Sequence, residues 1–137
     1  MLISDVTTFV VGNPPPRHGG RYFIFVKLTT DDGIDGIGEA YGSPGVGVKE
    51  QIEAIKPALI GQDPLAIDVL YTRSCRTDGS AHALMRAASG IEMALWDISG
   101  KALGVPVCAL LGGKVRDRVR VYAHRRIVGL HGGTGGQ

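Results

Sequence analysis

The chain has 137 residues, of which 44% are hydrophobic and 20% are charged, a composition typical of one globular domain and not of a disordered segment. Its 15 basic and 13 acidic side chains give a formal net charge of +2, which is too small to favour nucleic acid or a membrane surface as a partner. Cys75 and Cys108 belong to no CxxC motif, so we expect two reduced thiols. The sequence shows neither a signal-peptide pattern nor an apolar run near the roughly 20 residues of a bilayer span, and the cytoplasm is therefore the expected location.

The first thirty residues favour two β-strands joined by a loop. Segments 3–11 and 21–30 are rich in β-branched, aliphatic and aromatic residues, and the second segment alternates between the two faces of a strand. Residues 12–20, between them, contain three prolines and three glycines, which neither a strand nor a helix tolerates.

A third strand is predicted directly after a tight turn. Thr30-Asp31-Asp32-Gly33 is a turn sequence in which glycine supplies a positive φ, and residues 34–41 follow it as a strand. Gly36 and Gly38 within this strand indicate either a bulge or the close approach of another backbone. The predicted sheet is a three-stranded antiparallel meander.

After Gly45 the apolar period changes from two to about 3.6 residues, which indicates helices. The first predicted helix ends at Gly61 and buries a face formed by Ile52, Ile55, Leu59 and Ile60. The second is predicted to begin with Asp63 as N-cap and Pro64 in the first turn. It is expected to direct inward Leu65, Val69 and Leu70.

The longest predicted helix covers residues 80–103. Its apolar residues step by three and four and predict one buried stripe, formed by Leu84, Ala88, Ile91, Leu95, Ile98 and Ala102. Gly104 is placed to end the helix and Pro106 prevents its continuation. Beyond it, the alternating segment from Arg118 to Ala123 predicts a short strand without a visible partner.

Three segments in this order resemble one known family. They are Phe25-Val26-Lys27-Leu28-Thr29-Thr30-Asp31-Asp32-Gly33-Ile34-Asp35-Gly36-Ile37-Gly38-Glu39-Ala40, then Ile91-Glu92-Met93-Ala94-Leu95-Trp96-Asp97-Ile98-Ser99-Gly100-Lys101, then Leu103-Gly104-Val105-Pro106-Val107-Cys108-Ala109-Leu110-Leu111-Gly112-Gly113. The chain is similar over roughly residues 1–124 to the N-terminal capping domain of the enolase superfamily, of the mandelate racemase/muconate lactonizing enzyme type.

The residues of these motifs also have structural interpretations. Trp96 lies beside the apolar stripe and is expected in the core. Asp97 and Lys101 are spaced i, i+4 and predict a helix ion pair. Glu39 lies on an alternating strand, which favours a solvated or hydrogen-bonded carboxylate over a catalytic one.

The predicted fold class is α+β, a three-stranded antiparallel meander followed by a helical bundle. The resemblance implies a capping domain over residues 1–113 and the first strand of a (β/α)8 barrel over residues 114–124. Residues 125–137 are rich in glycine and are expected to be a disordered tail. Because such a barrel takes about 250 residues, we expect the rest of it to be missing from this chain.

The resemblance also implies a chemistry. Members of the superfamily remove the proton α to a carboxylate, with a magnesium ion held by three acidic ligands and a lysine or histidine as base. In the family these groups belong to later barrel strands, and the sequence contains no K-x-K motif and no spaced set of acids after residue 124. We therefore assign no catalytic or metal-binding residue, expect no bound magnesium, and expect this chain alone to be inactive. Whether to classify the chain as an enzyme stays open; the parent family contains carbon–oxygen lyases and isomerases.

In the family, two capping-domain loops close over the substrate, and they correspond to residues 12–20 and 41–47. The candidate substrate contacts on these loops and after the barrel strand are Arg17, His18, Tyr41, Ser43 and His124. An arginine suits a second carboxylate or a hydroxyl-rich chain, since its forked donors match planar acceptors.

The hairpin and the polar first loop are closest to those of sugar-acid dehydratases, which predicts an aldonate or aldarate such as galactonate as substrate. A racemase, a cycloisomerase or a lactonising enzyme of the same superfamily remains an alternative. A second class of function is a non-catalytic module that associates with itself or binds a partner. We expect a homo-oligomer that binds neither nucleic acid nor membranes.

Overall fold

A computed structural model describes residues 1–15, 22–42, 47–74 and 81–121. The strands and helices, in chain order, are β1 (Ile3–Gly12), β2 (Tyr22–Thr30), β3 (Asp35–Ala40), α1 (Val48–Leu59), α2 (Ile67–Ser74), α3 (Ala81–Leu103) and α4 (Val107–Leu110). The predicted α+β class, a meander followed by packed helices, is confirmed.

The sheet is antiparallel with strand order β1-β2-β3. The turn between β2 and β3 is the predicted one, with Gly33 at φ 86°. There the Thr30 hydroxyl accepts a hydrogen bond from the Ile34 backbone N–H at 2.9 Å. In β2 every second residue is buried, as expected for a sheet with one face against helices. These buried residues are Ile24, Val26, Leu28 and Thr30.

Helix α3 packs against β3 at unusually short range. A Cβ atom built on Gly36 would lie 2.1 Å from the Ala94 carbonyl oxygen, so only glycine allows this contact. The pairing of β2 with β3 runs without a register shift. Of the two interpretations of the β3 glycines, the close approach of another backbone is therefore the correct one.

Two predictions about the first helices are wrong. Ile60 is exposed, since α1 ends at Leu59 and Ile60 leaves the helix with φ −58° and ψ 131°. Helix α2 begins at Ile67 and not at Asp63, whose side chain instead accepts the Leu65 backbone N–H at 2.9 Å. This bond is the one that an N-cap makes, but the turn it caps, closed by the Ala66 N–H on the Asp63 carbonyl at 3.2 Å, ends before α2 begins.

This later start of α2 changes which of its side chains are buried. Leu70 is buried as predicted, whereas Leu65 and Val69 are exposed. Leu65 belongs to the turn, and Val69 lies one residue before Leu70 and so on a different side of the helix. The prediction that both point inward is therefore wrong.

Helix α3 contains the predicted stripe with one exception. Ala102 is exposed, whereas the five earlier members of the stripe are buried. Ala94 and Ile98 already contact Gly36 next to the first residue of β3, so the turn with Ala102 has no strand beneath it. The predicted end of the helix is confirmed, with Gly104 at φ 67° and the Val105 N–H bonded to the Gly100 carbonyl at 2.9 Å.

The end of the described chain differs from the prediction. Residues 118–121 are exposed and form no strand, because no strand of the described sheet lies beside them to supply hydrogen bonds. Residues 122 and 123 of the predicted strand and the tail at 125–137 lie outside the described residues. Pro106 not only ends α3 but also begins the short helix α4.

Other features of the sequence can be placed more briefly. Cys108 is an exposed free thiol, and Cys75 lies outside the described residues. Within the part of the chain that the structure describes, no helix is long and apolar enough to cross a membrane.

Candidate functional site

Two connections leave the sheet at the same end. Gly12, the last residue of β1, pairs with Tyr22, the first residue of β2. Ala40, the last residue of β3, pairs with Ile24 near the start of the same strand. Because adjacent strands run antiparallel, the β1–β2 and β3–α1 connections emerge side by side. These are the two connections that contain the predicted lid loops, and we call this part of the molecule the loop end of the sheet.

One of the predicted substrate contacts can be placed. Tyr41 directly follows β3 at the loop end, and its side chain is 77% exposed. The other four candidates, Arg17, His18, Ser43 and His124, lie outside the described residues. Their assignment stays a prediction.

The Tyr41 ring has a cationic neighbour. The guanidinium carbon of Arg86 lies 5.1 Å from the centre of the ring, within the range of a cation–π interaction. Arg86 is half-buried in the second turn of α3. Sequence analysis missed this residue, and no local signal could have paired it with Tyr41, since only the packing of α3 against β3 brings them together.

Helix α3 lies close to both described ends of the β3–α1 connection. A Cβ built on Gly90 would lie 2.9 Å from the Ala40 side chain, so this turn of α3 touches the last residue of β3. A Cβ built on Gly47 would lie 3.9 Å from the Ala83 side chain, at the far end of the connection. Arg86 lies between these two contacts in the sequence of α3. It is therefore held close to Tyr41, the first residue after β3.

The helices do not cover the loop end of the sheet. Val10 pairs with Ile24, and side chains directly opposite each other share one face of a sheet. Ile24 is 1% exposed, whereas Val10 is 39% exposed and Tyr22, two residues before Ile24 on the same face, is 44% exposed. At the loop end, the helix-facing side of the sheet therefore has an exposed apolar patch, formed by Val10 and Tyr22.

The motif residues of α3 have structural partners. Asp97 and Lys101 form the predicted i, i+4 ion pair at 2.8 Å. The Asp97 carboxylate also accepts the Ile37 backbone N–H at 2.9 Å, and Lys101 donates to the Asp35 carbonyl at 2.6 Å. Both side chains thus bind backbone groups of β3 that face away from β2, and they close this edge of the sheet.

The remaining motif residues also match their structural interpretations. Trp96 is partly buried and packs against the core, and its indole N–H donates to Glu92 at 3.3 Å. The Glu39 side chain is exposed on the outer face of β3, which confirms the solvated alternative. The contacts of Trp96, Asp97 and Lys101 thus support the fold.

Two carboxylates of the sheet, Asp5 and Asp35, have lowered pKa values because neighbouring lysine and threonine side chains donate hydrogen bonds to them. The Lys56 ammonium and the Thr7 hydroxyl both bond Asp5 and hold its pKa below the usual range. The Thr29 hydroxyl, followed by Lys27, does the same to the pKa of Asp35. Among the described residues, no group of three or more His, Cys, Asp or Glu side chains could hold a metal ion.

Comparison with known proteins places this fold in a family. Residues 8–112 match the family described as mandelate racemase/muconate lactonizing enzyme, N-terminal domain. The chain is 46% identical over 125 residues to a D-xylonate dehydratase from Haloferax volcanii, an alignment that covers 88% of this chain and 28% of that protein. It is 42% identical over 127 residues to a D-galactonate dehydratase from Verminephrobacter eiseniae, covering 89% of this chain and 31% of that protein.

Solved structures agree with the sequence relatives. A mandelate racemase/muconate lactonizing enzyme from Jannaschia sp. CCS1 superposes with a TM-score of 0.78 at 37% identity, covering 88% of this chain and 33% of that one. The chain thus spans about three tenths of the length of the curated relatives that it matches.

Proposed function

Because this chain belongs to the N-terminal domain family of mandelate racemase and muconate lactonizing enzyme, we propose that it is the substrate-capping portion of a sugar-acid dehydratase of the enolase superfamily. The observation that carries the proposal is the convergence of both lid connections at one end of the sheet, next to Tyr41 and Arg86. The two relatives named above, both sugar-acid dehydratases, support the reaction class.

The reaction divides the work between a cap and a barrel. A sugar-acid dehydratase removes the proton α to the carboxylate and expels the β-hydroxyl as water, giving a 2-keto-3-deoxy acid. The α-proton is weakly acidic, so the negative charge that develops needs a metal ion and fixed dipoles, which the family places in its barrel. The described residues supply no such set, and their contribution is to enclose the substrate.

A cap of this kind acts by excluding water and by selecting the substrate. Closure of loops over a site lowers its dielectric constant and completes the contacts to the substrate. We assign these contacts to Arg17, His18, Tyr41 and Ser43 on the two lid loops, and to His124 after the first barrel strand. Of these residues, Tyr41 has the clearest support, since its exposed ring lies at the loop end of the sheet.

The parent enzyme is proposed to be a magnesium-dependent homo-oligomer of the cytoplasm, and this chain alone is proposed to be inactive. A racemase, cycloisomerase or lactonising enzyme would use the same cap, and the support for a dehydratase among these reactions comes from the names of the relatives. A second candidate is a non-catalytic module that associates through an exposed surface. The exposed apolar patch formed by Val10 and Tyr22 favours this candidate.

A domain exchange tests the proposal. Residues 1–113 of this chain replace the matching residues of the Verminephrobacter D-galactonate dehydratase, and the purified chimera is supplied with a panel of aldonates and aldarates. We expect a 2-keto-3-deoxy acid, identified by NMR, from at least one of them. The unmodified relative is the positive control, and this chain alone is expected to give no product.

The possible outcomes separate the alternatives. Epimerised or deuterium-exchanged substrate without dehydration would indicate that the cap favours a racemase. A chimera that is monodisperse, has the circular dichroism of the relative and turns over no acid of the panel would overturn the capping proposal.

A further inference from the structure

We draw no further inference here: the strongest candidate, the apolar outer face of the sheet on which Phe9 and Ile37 are exposed, carries none because nothing in the described part of the structure shows what covers it.

Discussion

Gly38 of β3 and Gly90 of α3 are in direct backbone contact, and a Cβ atom on Gly38 would lie 1.9 Å from the Gly90 carbonyl oxygen. This contact sets the distance between the sheet and the long helix. It also helps to set the position of Arg86 relative to Tyr41, because Arg86 is one turn of α3 from Gly90. The packing of the core and the geometry of the candidate site thus depend on the same pair of residues.

Gly38→Ala is expected to lower the free energy of unfolding by about 3 kcal/mol, since a methyl group cannot enter without moving the backbone of α3. Urea unfolding followed by circular dichroism measures the change. Gly12→Ala is the matched control in the same sheet, because a Cβ there meets nothing within 4 Å, and it should change stability by less than about 0.5 kcal/mol. Equal effects of the two variants would contradict the close approach.

Asp97→Ala is expected to cost about 1–2 kcal/mol of stability, because the Ile37 N–H loses its acceptor and Lys101 keeps only the Asp35 carbonyl as its partner. It also uncovers the edge of β3, so aggregation on storage should increase. Asp97→Asn keeps an oxygen for the Ile37 N–H and should cost less than half as much. Urea unfolding and static light scattering of the unchanged chain and the two variants measure both effects. If Asp97→Asn is as unstable as Asp97→Ala, the charge of Asp97 matters and its hydrogen bond to the Ile37 N–H does not.

Acid should destabilise the fold through carboxylates such as Asp5. Its pKa is held below the ordinary value of 3.8 by Lys56 and Thr7, so in the folded chain it stays ionised to lower pH than in the unfolded chain. The stabilisation is present above pH 4 and is lost as the pH falls through the folded-state pKa. Because Asp5 is largely solvated, the contribution of its pair with Lys56 is expected to be under about 1 kcal/mol.

Unfolding in urea at pH 7 and pH 3 measures this dependence. Asp5→Asn should lose stability at pH 7 and show a smaller drop between the two pH values than the unchanged chain. A drop of the same size in both proteins would exclude Asp5 as a contributor.

Arg17→Gln, introduced into the active chimera, is expected to raise KM for a sugar acid by about tenfold and leave kcat within about twofold, since a lid contact made equally in the bound state and the transition state affects binding only. Steady-state kinetics on the preferred substrate measure both constants. Arg17→Lys should give an intermediate KM. A change in kcat alone would argue against a simple contact in the lid.

The exposed apolar side chains on the outer face of the sheet predict self-association of this chain. Phe9 of β1 pairs with Phe25 of β2 on that face, and Phe9 is 45% and Ile37 54% exposed. Phe9→Lys should lower the mass measured by light scattering and the binding of a hydrophobic dye. Ala54→Lys, which adds the same charge on the exposed side of α1, should change neither. A monomer at all concentrations without dye binding would contradict the prediction.

The sequence alone determined the three strands of the sheet, the long helix and the family, because these depend on local periodicity and on glycine and proline at fixed spacings. The pattern 24, 26, 28 in β2 and the stripe from Leu84 to Ile98 in α3 are readable without a structure. The errors at Leu65, Val69 and Ala102 all concern which side chains of a helix meet another element. That is decided by where helices begin and what lies beneath them, and both depend on distant residues.

Only the tertiary structure showed which residues lie together around Tyr41 and along the edge of β3. Tyr41 could be proposed from the sequence, since the family motif places it in a lid loop. Its pairing with Arg86, and the bonds of Asp97 and Lys101 to the edge of β3, join residues about 45 to 66 positions apart. These contacts form because α3 approaches the β3 glycines, Gly36 and Gly38, which leave room for its backbone. No local pattern in the sequence shows that α3 is the element that packs there. Sequence periodicity identifies a buried face but not the residues that cover it.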